Sequence, residues 1–333
     1  MTVSSALRRT CCYVVALIRN SKMPYARMPV KPRSGTQGSD SMGEISAFAG
    51  WTPPPGVDLV AVDAGAGRLT ALRSPAHGSP RGLILLMPGY TASKEEFFAM
   101  APALAQMGWE TWAYSHRGQA DSSAPRGVEE YRLERFVADA LDVVTELRER
   151  GREAGVPGRP HLVGHSFGGV VAMATAAESP QSLGSLTTMC TGPGPVRGAW
   201  VIDAMLAAAT VGGIGRWNAI NPELAHLPPE SMPESDAFRR ARFAASSNDH
   251  LVGAAAILAT VADLVPALSE RGLPLHVLHG EHDDVWPVDQ QREMAERLGA
   301  RYTVIAGAGH SVQRDAPRAT VLAIDEHLGG LSA

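Results

Sequence analysis

The chain has 333 residues, 45% hydrophobic and 19% charged, which is enough apolar material to bury one large core or two modest ones. Its 30 basic residues against 34 acidic ones give a net charge of −4 and no electrostatic reason to expect nucleic acid or an anionic membrane as partner. Cys11 and Cys12 adjoin and Cys190 stands alone, so no disulfide framework holds the fold.

Residues 1–42 mix Arg, Ser, Pro and Gly with little periodicity and are expected to form a disordered extension. The apolar stretch Cys11–Ile18 is short for a secretory segment once Arg8, Arg9 and Arg19 flank it, and no small-residue cleavage site follows cleanly. A cytoplasmic location is therefore expected. Later apolar stretches are broken by Asp203, Asp263 and Pro266 before they reach the roughly 18 residues that span a bilayer, so no integral membrane association is expected either.

From Val57 the pattern becomes ordered. Val57–Val62 and Arg68–Leu72 flank Ala64-Gly65-Ala66-Gly67 as an antiparallel hairpin. Beyond it, short apolar runs alternate with helical patterns, the signature of successive βαβ units and hence of a mostly parallel sheet. Strands are expected at Gly82–Met87, Trp109–Tyr114, His161–Val163, Leu183–Met189, Leu275–Leu278 and Arg301–Ile305. Helices are expected at Glu95–Met107, Tyr131–Arg150, Phe167–Glu178, Asp289–Leu298 and Arg318–Leu328; the second carries Leu133, Phe136, Val137, Ala140, Val144 and Leu147 on one face. The rhythm breaks over residues 193–271, where Pro228, Pro229, Pro233 and Pro266 punctuate Ala-rich helical stretches; this reads as a helical cap inserted between core segments 43–192 and 272–333.

Three loops carry chemistry. Gly164-His165-Ser166-Phe167-Gly168 stands where a buried strand turns into a helix, the G-x-S-x-G pattern that lifts a serine hydroxyl clear of a sheet edge. Serine needs a base, and the base needs an orienting acid. The run His279-Gly280-Glu281-His282-Asp283-Asp284 follows an apolar strand, and Gly307-Ala308-Gly309-His310 follows the next one. Ser166, Asp283 and His310 thus fall on three loops at one sheet edge. A metal cluster of His279, Glu281, His282 and Asp283 is disfavoured, because strand-end spacing points these side chains in different directions. No metal or cofactor is expected.

On these residues the chain resembles the α/β-hydrolase superfamily over about residues 57–330. The resemblance implies an α/β-hydrolase fold with a mostly parallel central sheet flanked by helices and a helical cap. Gly280, Asp283 and Pro287 match the family's G-x-x-D-x-x-x-P acid loop, which favours Asp283 over Asp284. Pro88-Gly89-Tyr90 is similar to its His-Gly-x oxyanion loop, with proline in place of histidine, and implies the main-chain N–H groups of Phe167 and Tyr90 as the oxyanion hole. The Tyr90 hydroxyl either reinforces that hole or packs beneath the cap. Ser115-His116-Arg117-Gly118-Gln119-Ala120-Asp121-Ser122 resembles the D-x-R-G-x-G-x-S loop, with Ser115 and Ala120 as departures, and Arg117 is expected to be structural. Glu95-Glu96-Phe97-Phe98 and the Met-Pro-Gly approach lean toward the lysophospholipase and monoglyceride-lipase-like branch.

Together these features read as a cofactor-independent serine hydrolase acting on a small-molecule carboxylic ester with an apolar portion. A thioesterase, carbon–carbon bond hydrolase or acyltransferase would use the same three side chains, and a non-catalytic ligand-binding protein of this architecture is the rival from another class. An aspartate nucleophile, as in dehalogenases and epoxide hydrolases of similar architecture, is excluded by Ser166. In the cap, Trp200, Met205, Leu206, Trp217, Met232, Phe238 and Phe243 are candidates to line an apolar pocket. Arg239, Arg240 and Arg242 read as a solvated helix face, with recognition of an anionic head group as the alternative. Because the base must be neutral, activity is expected to fall below about pH 6 to 7.

Overall fold

Gly82–Met87 (β3) is wholly buried, as expected of an interior parallel strand covered on both faces. Its side chains alternate between two cores. Leu83, Leu85 and Met87 face one layer, with Phe136, Ala140, Val144 and Leu147 from one helix and Phe167, Val170 and Val171 from another. Ile84 and Leu86 face the opposite layer, with Met100, Leu104, Val321 and Ile324. The computed structural model describes residues 48–198 and 211–331. The extension expected at 1–42, and Trp200, Met205 and Leu206, lie outside the described residues.

The hairpin forms as Asp58–Ala64 (β1) and Gly67–Ser74 (β2), antiparallel, with Val60 opposite Ala71. The remaining strands are Trp109–Tyr114 (β4), His161–His165 (β5), Ser185–Met189 (β6), Leu275–Gly280 (β7) and Arg301–Ile305 (β8). The eight strands lie in the order β1-β2-β4-β3-β5-β6-β7-β8. Only the β1–β2 and β2–β4 pairings are antiparallel. The helices are Met100–Gln106 (α1), Leu133–Glu153 (α2), Phe167–Glu178 (α3), Glu234–Ala245 (α4), Asn248–Thr260 (α5), Val265–Ser269 (α6), Val288–Leu298 (α7), Val312–Asp315 (α8) and Pro317–Leu331 (α9). Residues 211–220 are also helical.

The helix expected at Glu95–Met107 is split into a single 3₁₀ turn, Lys94–Phe97, and α1. The cause lies in the turn. Lys94 is fully buried between Glu95 (2.8 Å) and Asp121 (2.6 Å), so its charged residues point inward where one continuous helix would present them to solvent. The chain leaves the sheet after β6 and returns at β7. The intervening stretch, read from the sequence as a cap and called the cap below, contains α4, α5, α6 and the helical residues 211–220 and, among the described residues, no strand. No helix of the described residues is long and apolar enough to cross a membrane.

Candidate active site

Ser166 ends β5 and caps α3 with φ 53° and ψ −118°, a conformation that costs a non-glycine residue about 1–3 kcal/mol. The surroundings enforce it. The Ser166 N–H donates to the Met189 carbonyl (2.9 Å), and the Ser166 carbonyl accepts from Thr191 Oγ1 (3.2 Å). A Cβ at Gly164 would stand 2.4 Å from the Gly168 carbonyl oxygen, and one at Gly168 would stand 2.3 Å from the Met87 oxygen. Both contacts are with backbone, so only glycine lets β3, β5 and α3 approach closely enough to form the turn.

The three loops converge. His310 Nε2 lies 3.0 Å from Ser166 Oγ and accepts its hydrogen, while His310 Nδ1 donates to Asp283 Oδ1 at 2.9 Å. Asp283 is buried and also accepts from the Val285 N–H (3.0 Å) and from Gln291 Nε2 on α7 (2.8 Å). Burial pushes its carboxyl up, but the neighbouring His310 charge and these hydrogen bonds outweigh it and hold the pKa at about 2. Asp284 is exposed and takes no part in this line.

His165, silent in the sequence reading although it sits inside the G-x-S-x-G string, supports His310. Its Nε2 donates to the His310 carbonyl (2.8 Å) and its Nδ1 accepts from Gln313 on α8 (3.1 Å). Burial lowers its pKa to about 4, so it is neutral and acts as a brace. Cys190 lies nearby, and burial keeps its thiol protonated by raising the pKa well above the ordinary value. The potential ligand atoms of His165, Cys190 and His310 lie within 4.8 Å of one another, but the ring nitrogens of both histidines are engaged in the bonds just described. The other acid-loop candidates disperse. His279 is buried between the Gly280 carbonyl and the Tyr302 hydroxyl, and Glu281 and His282 are exposed.

The N–H groups of Phe167 and Tyr90 donate to no acceptor among the described residues. The Tyr90 hydroxyl donates to the Leu251 carbonyl of α5 (2.6 Å) and accepts from Arg216 Nη1 (2.8 Å), so it is engaged by the cap. Its backbone is held too. The Gly89 carbonyl accepts from Gln119 Nε2 (2.8 Å), and the Tyr90 carbonyl accepts from His250 Nε2 (3.1 Å). Gln119 and His250 therefore fix the loop that carries Tyr90, a role no local sequence pattern signals. Arg117 is structural: it grips Asp139 through Nε (2.6 Å) and Nη2 (2.8 Å) and donates to the Glu130 carbonyl (2.6 Å).

A cavity opens above Ser166, lined on its apolar side by Trp217, Phe243, Leu258, Val285 and Trp286. Trp217 and Phe243 therefore lie where the sequence placed them; Met232 and Phe238 do not line it. The arginines of α4 differ from the solvated face expected: Arg242 is 5% exposed, and both Arg239 and Arg242 line the cavity. Glu96 lines it as well. Burial raises its carboxyl pKa, but Arg314 and Arg242, with His165 and His310, pull it below the ordinary value, so it stays ionised.

A parallel sheet flanked by helices, with a serine elbow at the carboxyl end of a central strand, defines an α/β hydrolase. A family model described as Serine aminopeptidase, S33 matches residues 78–317, and the chain belongs to that family. A monoacylglycerol lipase of Mycolicibacterium smegmatis is 25% identical over 262 residues, 73% of this chain and 86% of that protein. Bifunctional epoxide hydrolase 2 of Sus scrofa is 31% identical over 140 residues, which span 41% of this chain and only 21% of that longer protein. Among solved structures, a hydrolase from Pseudomonas aeruginosa has a TM-score of 0.65 at 25% identity, covering 82% of this chain and 98% of its own. The enol-lactonase from Burkholderia xenovorans has a TM-score of 0.66 at 21% identity, covering 81% of this chain and 100% of its own.

Proposed function

We propose that the protein is a serine hydrolase that cleaves a carboxylic ester through an acyl-enzyme intermediate. The observation that carries this reading is the unbroken hydrogen-bonded line from Ser166 Oγ through the His310 ring to Asp283, at 3.0 and 2.9 Å. Ser166 Oγ attacks the carbonyl carbon as His310 Nε2 takes its proton, and Asp283 stabilises the resulting imidazolium. The tetrahedral oxygen is held by the N–H groups of Phe167 and Tyr90. The imidazolium then protonates the leaving alcohol, and water releases the acid by the reverse sequence. The apolar cavity wall supports a substrate with an apolar portion, and the likeness to a monoacylglycerol lipase supports an ester. A fluorophosphonate probe is expected to label the wild type and to spare a folded Ser166→Ala variant. A folded wild type that resists the probe and turns over no p-nitrophenyl ester of any chain length overturns the reading.

A further inference from the structure

The cavity above Ser166 is apolar on one side and cationic on the other. Arg314 enters it from α8, four residues beyond His310. Arg216, Arg239 and Arg242 enter it from the cap. Among the described residues, Glu96 is the only carboxylate in the lining. A guanidinium cannot shed its proton to escape burial, as a lysine can, so this charge is permanent. Some of the contacts that hold these side chains are with neutral groups. Arg216 bonds the Tyr90 hydroxyl (2.8 Å) and lies over its ring (5.0 Å), Arg239 lies over the Trp217 ring (5.6 Å), and Arg314 donates to Ser311 Oγ (2.6 Å). Two carboxylates offset part of this charge: Asp236, outside the lining, pairs with Arg239, and Glu96 lies 3.9 Å from Arg314.

Among the described residues, the buried Nε–H groups of Arg239 and Arg314 have no hydrogen-bond acceptor. Arg314 Nε stands 3.9 Å from Glu96 Oε1, too far for a bond. A buried donor without an acceptor is destabilising, and a charged one more so. An oxygen of an oxyacid anion is the group that satisfies such donors and offsets the charge together, by geometry suited to guanidinium.

We propose that this cavity takes esters bearing an anionic oxyacid group, carboxylate or phosphate, joined to the scissile carbonyl by a short apolar spacer. The spacer lies along Trp217, Phe243 and Trp286 and the anion meets Arg239 and Arg314. This rests on the serine hydrolase reading and narrows its substrate class.

The test compares three p-nitrophenyl esters with the same acyl spacer: the hydrogen adipate, the 5-phosphonopentanoate and the neutral 6-methylheptanoate. At least one anionic ester is expected to exceed the neutral one in kcat/KM by tenfold or more, chiefly through KM, and the better of the two identifies the source as carboxylate or phosphate. Arg314→Gln and Arg239→Gln are each expected to lower that ratio about tenfold. Arg240→Gln, on the same helix as Arg239 but outside the lining, is expected to leave it unchanged. A wild-type ratio of one or below overturns the inference while leaving the nucleophile intact, and so does probe labelling of Ser166 with turnover of none of the three. A ratio that survives both cavity variants overturns the assignment of the anion to these arginines. A folded protein that neither labels nor turns over any ester defeats the hydrolase reading itself.

Discussion

On the sheet side of the cavity, Ser166, Asp283 and His310 stand on loops fixed by strand ends, main-chain hydrogen bonds and glycine packing. On the cap side, Arg216, Trp217, Arg239 and Phe243 come from helices of the cap, which meets the Tyr90 hydroxyl through Leu251 and Arg216. The first side is over-determined by local backbone geometry. The second rests on the apolar face of α5, which joins the main core, and on polar bonds between residues more than 100 positions apart, including the Ser247 N–H to the Gly118 carbonyl. On the proposed function the contrast separates the groups that cleave the bond from the surface that selects the substrate, and each side can be perturbed alone.

The largest effect is expected from Asp283→Asn, which keeps the shape of the sheet side but removes the charge that orients His310; steady-state kinetics should show kcat lowered about 10⁴-fold with a native circular dichroism spectrum. Gly168→Ala attacks the same side through packing. With backbone oxygen 2.3 Å from the new methyl, a loss of about 3 kcal/mol in urea unfolding and of most activity is expected. Little change in either measurement would mean that the elbow is less tightly built than its geometry requires.

Acid tests both sides together. Burial lowers His116 and His276 to about 3 and His161, His165, His250 and His327 to about 4. In the unfolded chain these imidazoles titrate near 6.5, so between that value and 4 unfolding takes up protons. Stability is therefore expected to be level above about pH 7 and to fall as pH drops from 6.5 to 4, by up to about 1.4 kcal/mol per pH unit for each histidine. Urea midpoints measured across that range give the slope, and a flat profile would show that these rings are accessible to protons in the folded state. The smallest effect is expected on the cap side. Tyr90→Phe removes the bonds to Leu251 and Arg216, with an expected loss of about 1–2 kcal/mol in stability and about tenfold in kcat. An unchanged kcat would uncouple the loop that carries Tyr90 from the cap.

The sheet side was largely legible in the sequence. β3, β4, β8 and α3 have the expected limits, and β3 is apolar throughout as an interior parallel strand is. The positions of Ser166, Asp283 and His310 were readable because each lies on a loop just after a parallel strand, and strand order brings these loops to one edge. Other features depend on partners distant in sequence. Periodicity finds the faces of α4 but not which of them meets a cavity, and this is why Arg242 reads as solvated and is buried. The inward turn at Lys94 depends on Asp121, 27 residues away, and the choice between two roles for the Tyr90 hydroxyl depends on Leu251, 161 residues away.

One further tie joins the two sides near the beginning of the described chain. Trp51 packs edge-on against Phe98 (4.3 Å), just after the turn that carries Glu96, and Phe48 meets Phe238 of α4 (5.9 Å), as Trp51 also does (6.5 Å). These aromatics precede the first strand, where a recombinant form is most tempting to trim. Beginning the polypeptide at Asp58 would discard a clasp rather than a tail, and kinetic constants from such a shortened form would describe an enzyme whose roof has lost one of its fastenings.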